Sequence, residues 1–170
     1  MKQKFSMQAI IFFLTCLLCL LLRALLINLP NIEPVSSLLL CLGKRFNYIE
    51  LFLFGFLNIL FFDVITFKFG IWTIFTALTY ALIAVGTYLV KTRKVHFLKY
   101  SIISTLVYDI ITGLIMGPIL FEQDFIQALV GQIPFTIYHI IGNLVLTISF
   151  TCVIEIFFWA ILKRRKVLPC

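Results

Sequence analysis

Long apolar runs separated by short polar breaks divide the chain into six segments: residues 8–29, 34–43, 48–67, 70–90, 98–121 and 134–162. An α-helix needs about 20 apolar residues to cross a bilayer core of roughly 30 Å. Five of the runs reach that length and predict transmembrane helices. The second, from Pro34 to Gly43, is only half as long, so as a helix it either dips in and returns or crosses as a short element buried among the others.

Charge decides between these alternatives. If the second segment crosses, Lys2, Lys4, Lys44, Arg45, Lys91, Arg93, Lys94, Lys99, Lys163, Arg164, Arg165 and Lys166 share one side, with only Lys68 opposite and Arg23 inside the first span. If it does not cross, the same residues split three against ten. Basic residues concentrate on the cytoplasmic side of membrane proteins. The expectation is therefore an all-α, single transmembrane domain over residues 1–170, with six spans, a short second span and both termini in the cytoplasm. The outer loops are then Pro30–Glu33, the turn at Lys68, and Glu122–Ile133.

Composition agrees with this reading. Hydrophobic residues make up 62% of the 170 and charged residues 12%, with a mean hydropathy of +1.12. A soluble domain carries about 25% charged residues to cover its surface. The net charge of +7 sits in clusters between apolar runs, the pattern of topology signals rather than of a nucleic-acid surface. Lys2 and Lys4 precede the first run as in a signal peptide. The run has full spanning length and no small-x-small cleavage site after it, so it is expected to be a retained helix. Of five cysteines, Cys16 and Cys19 have C-x-x-C spacing, but no βα pattern surrounds them and packing is the simpler role.

Ionisable side chains inside spans are costly and mark functional sites or buried pairs. They are Arg23, Asp63, Asp109, His139 and Glu155. On the expected topology Arg23, Asp63 and His139 lie within about two turns of the outer surface, with Asn143 on the face of His139 at i+4. Asp109 is near mid-span, and Glu155 is alone in the inner half. Asn31, Glu33 and Trp72 lie at the adjoining outer loops. An outward-opening apolar cavity with a few fixed polar groups suits a small molecule.

Each residue also has a plainer role. The threonines of the fourth run can bond back to their own helix, Arg23 can snorkel outward, and Asp63 can pair with Arg23 or Lys68. His139, Asn143 and Asp109 can bond across helices without a ligand. Trp72 can anchor the interface. No H-E-x-x-H, G-x-S-x-G or Gly-rich phosphate loop occurs, and no cofactor or metal site is expected.

Asn31-Ile-Glu-Pro34-Val-Ser-Ser-Leu-Leu-Leu-Cys-Leu-Gly43 resembles the N-x-x-P-V start of the second helix in S-component-like membrane proteins. Phe69-Gly70-Ile-Trp72-Thr73 looks like the start of their fourth helix. Ile133-Pro134-Phe135-Thr136, followed by Gly142-Asn143-Leu144, is similar to the P-F run that opens their last. S components are the substrate-binding subunits of energy-coupling factor transporters. The resemblance covers roughly residues 30–160 and implies six spans, a vitamin-like small-molecule substrate, and a transmembrane coupling protein with two ATPases as partners. It also implies that Asn31, Trp72, His139 and Asn143 contact substrate, with Asp63 and Arg23 shaping the pocket. The first helix departs from the pattern: it lacks the Ala-x-x-x-Ala face for docking the coupling partner, and Thr15 and Cys19 are its nearest small pair. The alternative is a scaffold of the rod-shape determining type, which has similar length and span number but no need for polar groups in the outer half. An intramembrane transferase is disfavoured because no nucleophile–base pair is visible.

Overall fold

A computed structural model describes residues 2–29, 31–42, 46–93 and 97–166, with side chains at 8–29, 31–41, 46–88 and 98–153. All regular structure among them is helical: α1 (Lys2–Leu25), α2 (Pro34–Leu42), α3 (Tyr48–Ile65), α4 (Ile71–Arg93), α5 (Phe97–Asp109), a π-helical stretch (Ile110–Met116), α6 (Gly117–Phe121) and α7 (Phe125–Lys166). Five stretches are long and apolar enough to cross a membrane: Gln8–Leu25, Tyr48–Ile65, Ile71–Tyr88, Leu98–Phe121 and Phe125–Val153. The fourth of these joins α5, the π stretch and α6 into one span. The apolar pattern along the chain thus becomes five long helices and one short one in second place.

Local chemistry sets several boundaries. Asn47 starts α3 with a capping box: its Oδ1 accepts from the Ile49 and Glu50 amides at 2.9 Å, and the Glu50 carboxylate accepts from the Asn47 amide at 2.8 Å. Such a cap contributes about 1 kcal/mol. Glu50 also accepts from Gln8 Nε2 at 2.9 Å, joining α3 to α1. In the α5–α6 span, Pro118 has no N–H to close the α-helical bond to Leu114. The turn before it widens into the π form, with glycines at 113 and 117.

Side-chain contacts fix the direction of each helix. Gln8 meets Glu50 and Arg23 meets Asn58, so α1 and α3 run parallel. Asp63 meets Thr73, and Ile83 meets Tyr100, so α3/α4 and α4/α5 are antiparallel. Thr105 meets Asn143 and Asp109 meets His139, which makes α5 antiparallel to α7. Ser37 meets Asn143 and Cys41 meets Thr147, so α2 runs parallel to α7. Helices α1, α3 and α5 therefore point one way and α2, α4 and α7 the other. The C-terminal ends of α1 and α3, together with α6, lie at one end of the bundle, its upper end.

The core is centred on α2. From Pro34 to Leu40 every residue is buried, and Val35, Leu38 and Leu39 pack with Phe46, Leu51, Phe54, Ala77 and Tyr80. Nine helical residues rise only about 13.5 Å. The non-helical stretch Asn31–Glu33 adds up to about 10 Å, carrying the chain down among the other helices before α2 begins. Asn31 has a left-handed backbone, φ 62°, where the chain turns inward. A Cβ on Gly142 would lie 3.0 Å from the Asn31 carbonyl oxygen, so glycine there lets this stretch approach α7. Irregular backbone at membrane depth is tolerated where protein surrounds it. The outward faces of the long helices are apolar, as at Phe13, Leu82 and Ile119.

One boundary differs from expectation. The last helix was expected to open at Pro134 after a loop over Glu122–Ile133, but α7 starts at Phe125 and includes Pro134. Asp124 supplies the start, its Oδ1 accepting from the Gln127 amide at 3.0 Å and its carbonyl from the Ala128 amide at 2.9 Å. The proline ring then deprives the Val130 carbonyl of its donor in the second turn of the helix, a known site of kinking rather than an obligatory end.

Candidate functional site

Two polar constellations lie within the bundle. The first sits near the upper end between α1, α3 and the start of α2. Arg23 Nε lies 3.1 Å from Glu33 Oε1, Arg23 Nη1 donates to the Asn58 carbonyl at 3.0 Å, and the guanidinium carbon stands 4.1 Å from the centre of the Phe62 ring. Arg23 does not snorkel: its side chain is 12% exposed and turned inward. Glu33 Oε1 faces it as an ion pair without an aligned hydrogen bond. Asp63 pairs with neither Arg23 nor Lys68 through an ion pair; its Oδ2 accepts from Thr73 Oγ1 at 2.6 Å, tying the end of α3 to the start of α4. Thr76 and Thr79 bond back to the carbonyls of Trp72 and Phe75, the plainer role foreseen for them.

The second constellation is a ladder between α5 and α7. Ser101, Thr105 and Asp109 recur at i, i+4 and i+8 along one side of α5, and His139, Asn143 and Thr147 do the same on α7. Antiparallel packing pairs them in order. His139 Nδ1 and Asp109 Oδ1 are 2.7 Å apart, Asn143 Nδ2 donates to Thr105 Oγ1 at 2.8 Å, and the Ser101 and Thr147 hydroxyls are 3.4 Å apart. Helix α2 closes the third side: Ser37 Oγ donates to the Asn143 carbonyl at 3.2 Å and accepts from Thr147 Oγ1 at 3.0 Å. All seven side chains are buried. The Tyr108 and Phe135 rings stand edge-on to His139, with centroids 5.6 and 5.7 Å away.

This ladder carries more polar groups than its internal bonds satisfy. Asp109 Oδ2 and Asn143 Oδ1 are buried without a hydrogen-bond partner. The orientation of the Asn143 amide follows from the network. Thr105 Oγ1 already donates to the Ser101 carbonyl at 2.9 Å, so it accepts from Asn143, which turns the amide nitrogen toward it and leaves the oxygen free.

The residues singled out from sequence are thus divided. His139 and Asn143 share the α7 face, and Asn31 approaches it through backbone contact at Gly142. Arg23 and Asp63 belong to the upper constellation. Tyr80 and Tyr108, with ring centroids 4.6 Å apart, bridge the two, within electrostatic reach of Glu33, Arg23 and Asp109. Trp72 stands apart, 38% exposed, over Gly70 and 6.1 Å from the Phe121 ring, where an interfacial aromatic belongs. Sequence reasoning missed Ser37, Ser101, Thr105 and Thr147. The repeated four-residue spacing of polar side chains within two apolar runs was the available signal. The side chain of Glu155 lies outside the described residues. Among the described residues no group of three or more His, Cys, Asp or Glu could hold a metal ion. Neither the models of known families, nor the curated proteins, nor the solved structures contain a match to this chain.

Proposed function

We propose that this protein is a membrane-embedded substrate-capturing subunit of an ATP-driven uptake transporter for a vitamin-like micronutrient, of the S-component type. The observation that carries the reading is the buried α5–α7 ladder, with two acceptor oxygens left open inside the bundle. A purely structural interface gains from closing such groups or replacing them, because each unpaired acceptor costs about 1–3 kcal/mol. A binding subunit keeps them for its ligand. The motifs at Asn31–Gly43, Phe69–Thr73 and Ile133–Leu144 support the same reading, since the first and last of them meet at the Asn31–Gly142 contact.

On this reading the protein lies in the cell membrane with its upper end outward and both termini cytoplasmic, as the twelve-to-one distribution of basic residues favours. With no ATP-binding motif of its own, it works with a transmembrane coupling protein and two ATPases. Reporter fusions at residue 96 and at the C-terminus should both report the cytoplasm, and a fusion at Asp124 the exterior. Opposite results at the N-terminus and residue 96 would contradict the alternating helix directions.

The site itself is tested with Asn143→Leu, which keeps the approximate size of the side chain while removing donor and acceptor. A small molecule co-purifying with the detergent-solubilised parent, identified and quantified by mass spectrometry, should bind the variant about 5- to 150-fold more weakly. Equal retention by both proteins places the site elsewhere. Recovery with cell-wall synthesis proteins, instead of a coupling protein and ATPases, favours the scaffold alternative.

A further inference from the structure

The buried side-chain atoms that lack hydrogen bonds in the α5–α7 ladder are both acceptors. Asp109 Oδ2 and Asn143 Oδ1 belong to neighbouring rungs, one helical turn apart, and both residues are only 1% exposed. Their other polar atoms are committed, Asp109 Oδ1 to His139 and Asn143 Nδ2 to Thr105, so neither can rotate to close the gap without breaking a short bond. What the ladder lacks is a donor.

Charge points the same way. Arg23 and Glu33 neutralise each other. The Asp109 carboxylate has only the imidazole of His139, which balances it when protonated, and Asp63 adds a further carboxylate whose bonded partner is a neutral hydroxyl. The N-terminus of α2 contributes about half a positive charge, less than one carboxylate. No guanidinium or ammonium group among the described residues is left over to receive an anion in the ladder. A ligand carboxylate or phosphate would bring further acceptor oxygens against the two already open, and would be repelled. The Tyr108 and Phe135 rings beside His139 add aromatic surface of the kind that favours a flat or cationic group.

We infer that the substrate enters this site with a cationic nitrogen head, an amine or amidine type of group, that donates N–H bonds to Asp109 Oδ2 and Asn143 Oδ1. This deepens the proposed substrate-capturing role and rests on it. Asp109 is then a direct ligand contact as well as the partner of His139, and the substrate class is a cation rather than an acid or a phosphorylated compound.

Three ring compounds of one shape but different heads distinguish the possibilities: benzamidine, benzamide and benzoate. Each is added at equal concentration to the full-length protein in detergent, and both thermal stabilisation and affinity are measured. Benzamidine should bind the parent best. Asp109→Asn, which keeps the shape and removes the charge, should weaken benzamidine by about tenfold or more, as expected for a hydrogen bond to a charged group. Lys99→Gln, at an exposed position ten residues and about 15 Å along α5 from Asp109, should leave it unchanged, and circular dichroism of Asp109→Asn checks that the helices persist. Preferential binding of benzoate, lost in Asn143→Leu, would overturn the cationic class while leaving a substrate site in the ladder. No binding of any probe would overturn the inference in favour of a buried water on these oxygens. The capture role would then be judged separately, by recovery of the coupling protein and ATPases.

Discussion

His139→Leu should lower the unfolding stability of the detergent-solubilised protein by about 3–5 kcal/mol, the cost of taking the bonded partner from a buried carboxylate. The imidazole nitrogen lies 2.7 Å from Asp109 Oδ1, and the second carboxylate oxygen has no partner already. Removing the ring leaves both oxygens unpaired in the middle of the bundle, where neither water nor lipid can solvate them. The double variant Asp109→Leu/His139→Leu removes the charge as well and should recover most of the loss, because replacing a whole buried pair by apolar groups is often neutral or better. Denaturant unfolding followed by circular dichroism, run on both single variants and the double, gives the coupling directly. Additive single losses would show that the two groups do not depend on each other.

At the α3–α4 contact the expected effect comes from volume. A Cβ at Gly55 would lie 2.6 Å from the Tyr80 carbonyl oxygen and 2.9 Å from the Ala81 amide nitrogen. Both atoms are backbone and cannot step aside. Gly55→Leu should therefore push the helices apart and cost about 1–3 kcal/mol, the range found for overpacked cores. Small residues are what let membrane helices approach this closely. Gly131 in α7 provides the opposite case, since nothing lies within 4 Å of its virtual Cβ. There Gly131→Ala should stabilise by up to about 1 kcal/mol, from helix propensity alone. Thermal unfolding of the two variants beside the parent reads both signs. A tolerated leucine at 55 would mean that α3 and α4 are not packed backbone to backbone.

The candidate site was legible in part. His139 and Asn143 stood out because a histidine and an amide at i+4 interrupt an apolar run, and each carries a bond across helices in the folded bundle. Asp109 stood out as a lone mid-span carboxylate, but its partner was not evident because the two are 30 positions apart and joined only by antiparallel packing. Arg23 was expected to reach outward or toward Asp63. Its acid is Glu33, brought beneath it by the inward turn at Asn31, a loop path that side-chain patterning does not encode. The hydroxyls of Ser101, Thr105 and Thr147 were overlooked because small polar residues in apolar helices usually bond to their own backbone. Thr105 does so and still accepts from Asn143.

Hydropathy and the placement of Lys and Arg determined, by themselves, an all-helical membrane protein with five long helices and a short second one. Spanning length and charge asymmetry are properties of a segment and its flanks, and need no knowledge of neighbours. Only the tertiary structure decided how so short a second helix fits, for α2 depends on protein contacts on every side and on the irregular stretch Asn31–Glu33 that feeds it. It also moved the start of α7 from Pro134 back to Phe125, because Asp124 caps a helix that continues through the proline. And it alone decided which polar groups meet and which stay open. Hydrogen-bond satisfaction is settled by distances of a few ångströms between distant positions in the chain, and those distances exist only once the helices have packed.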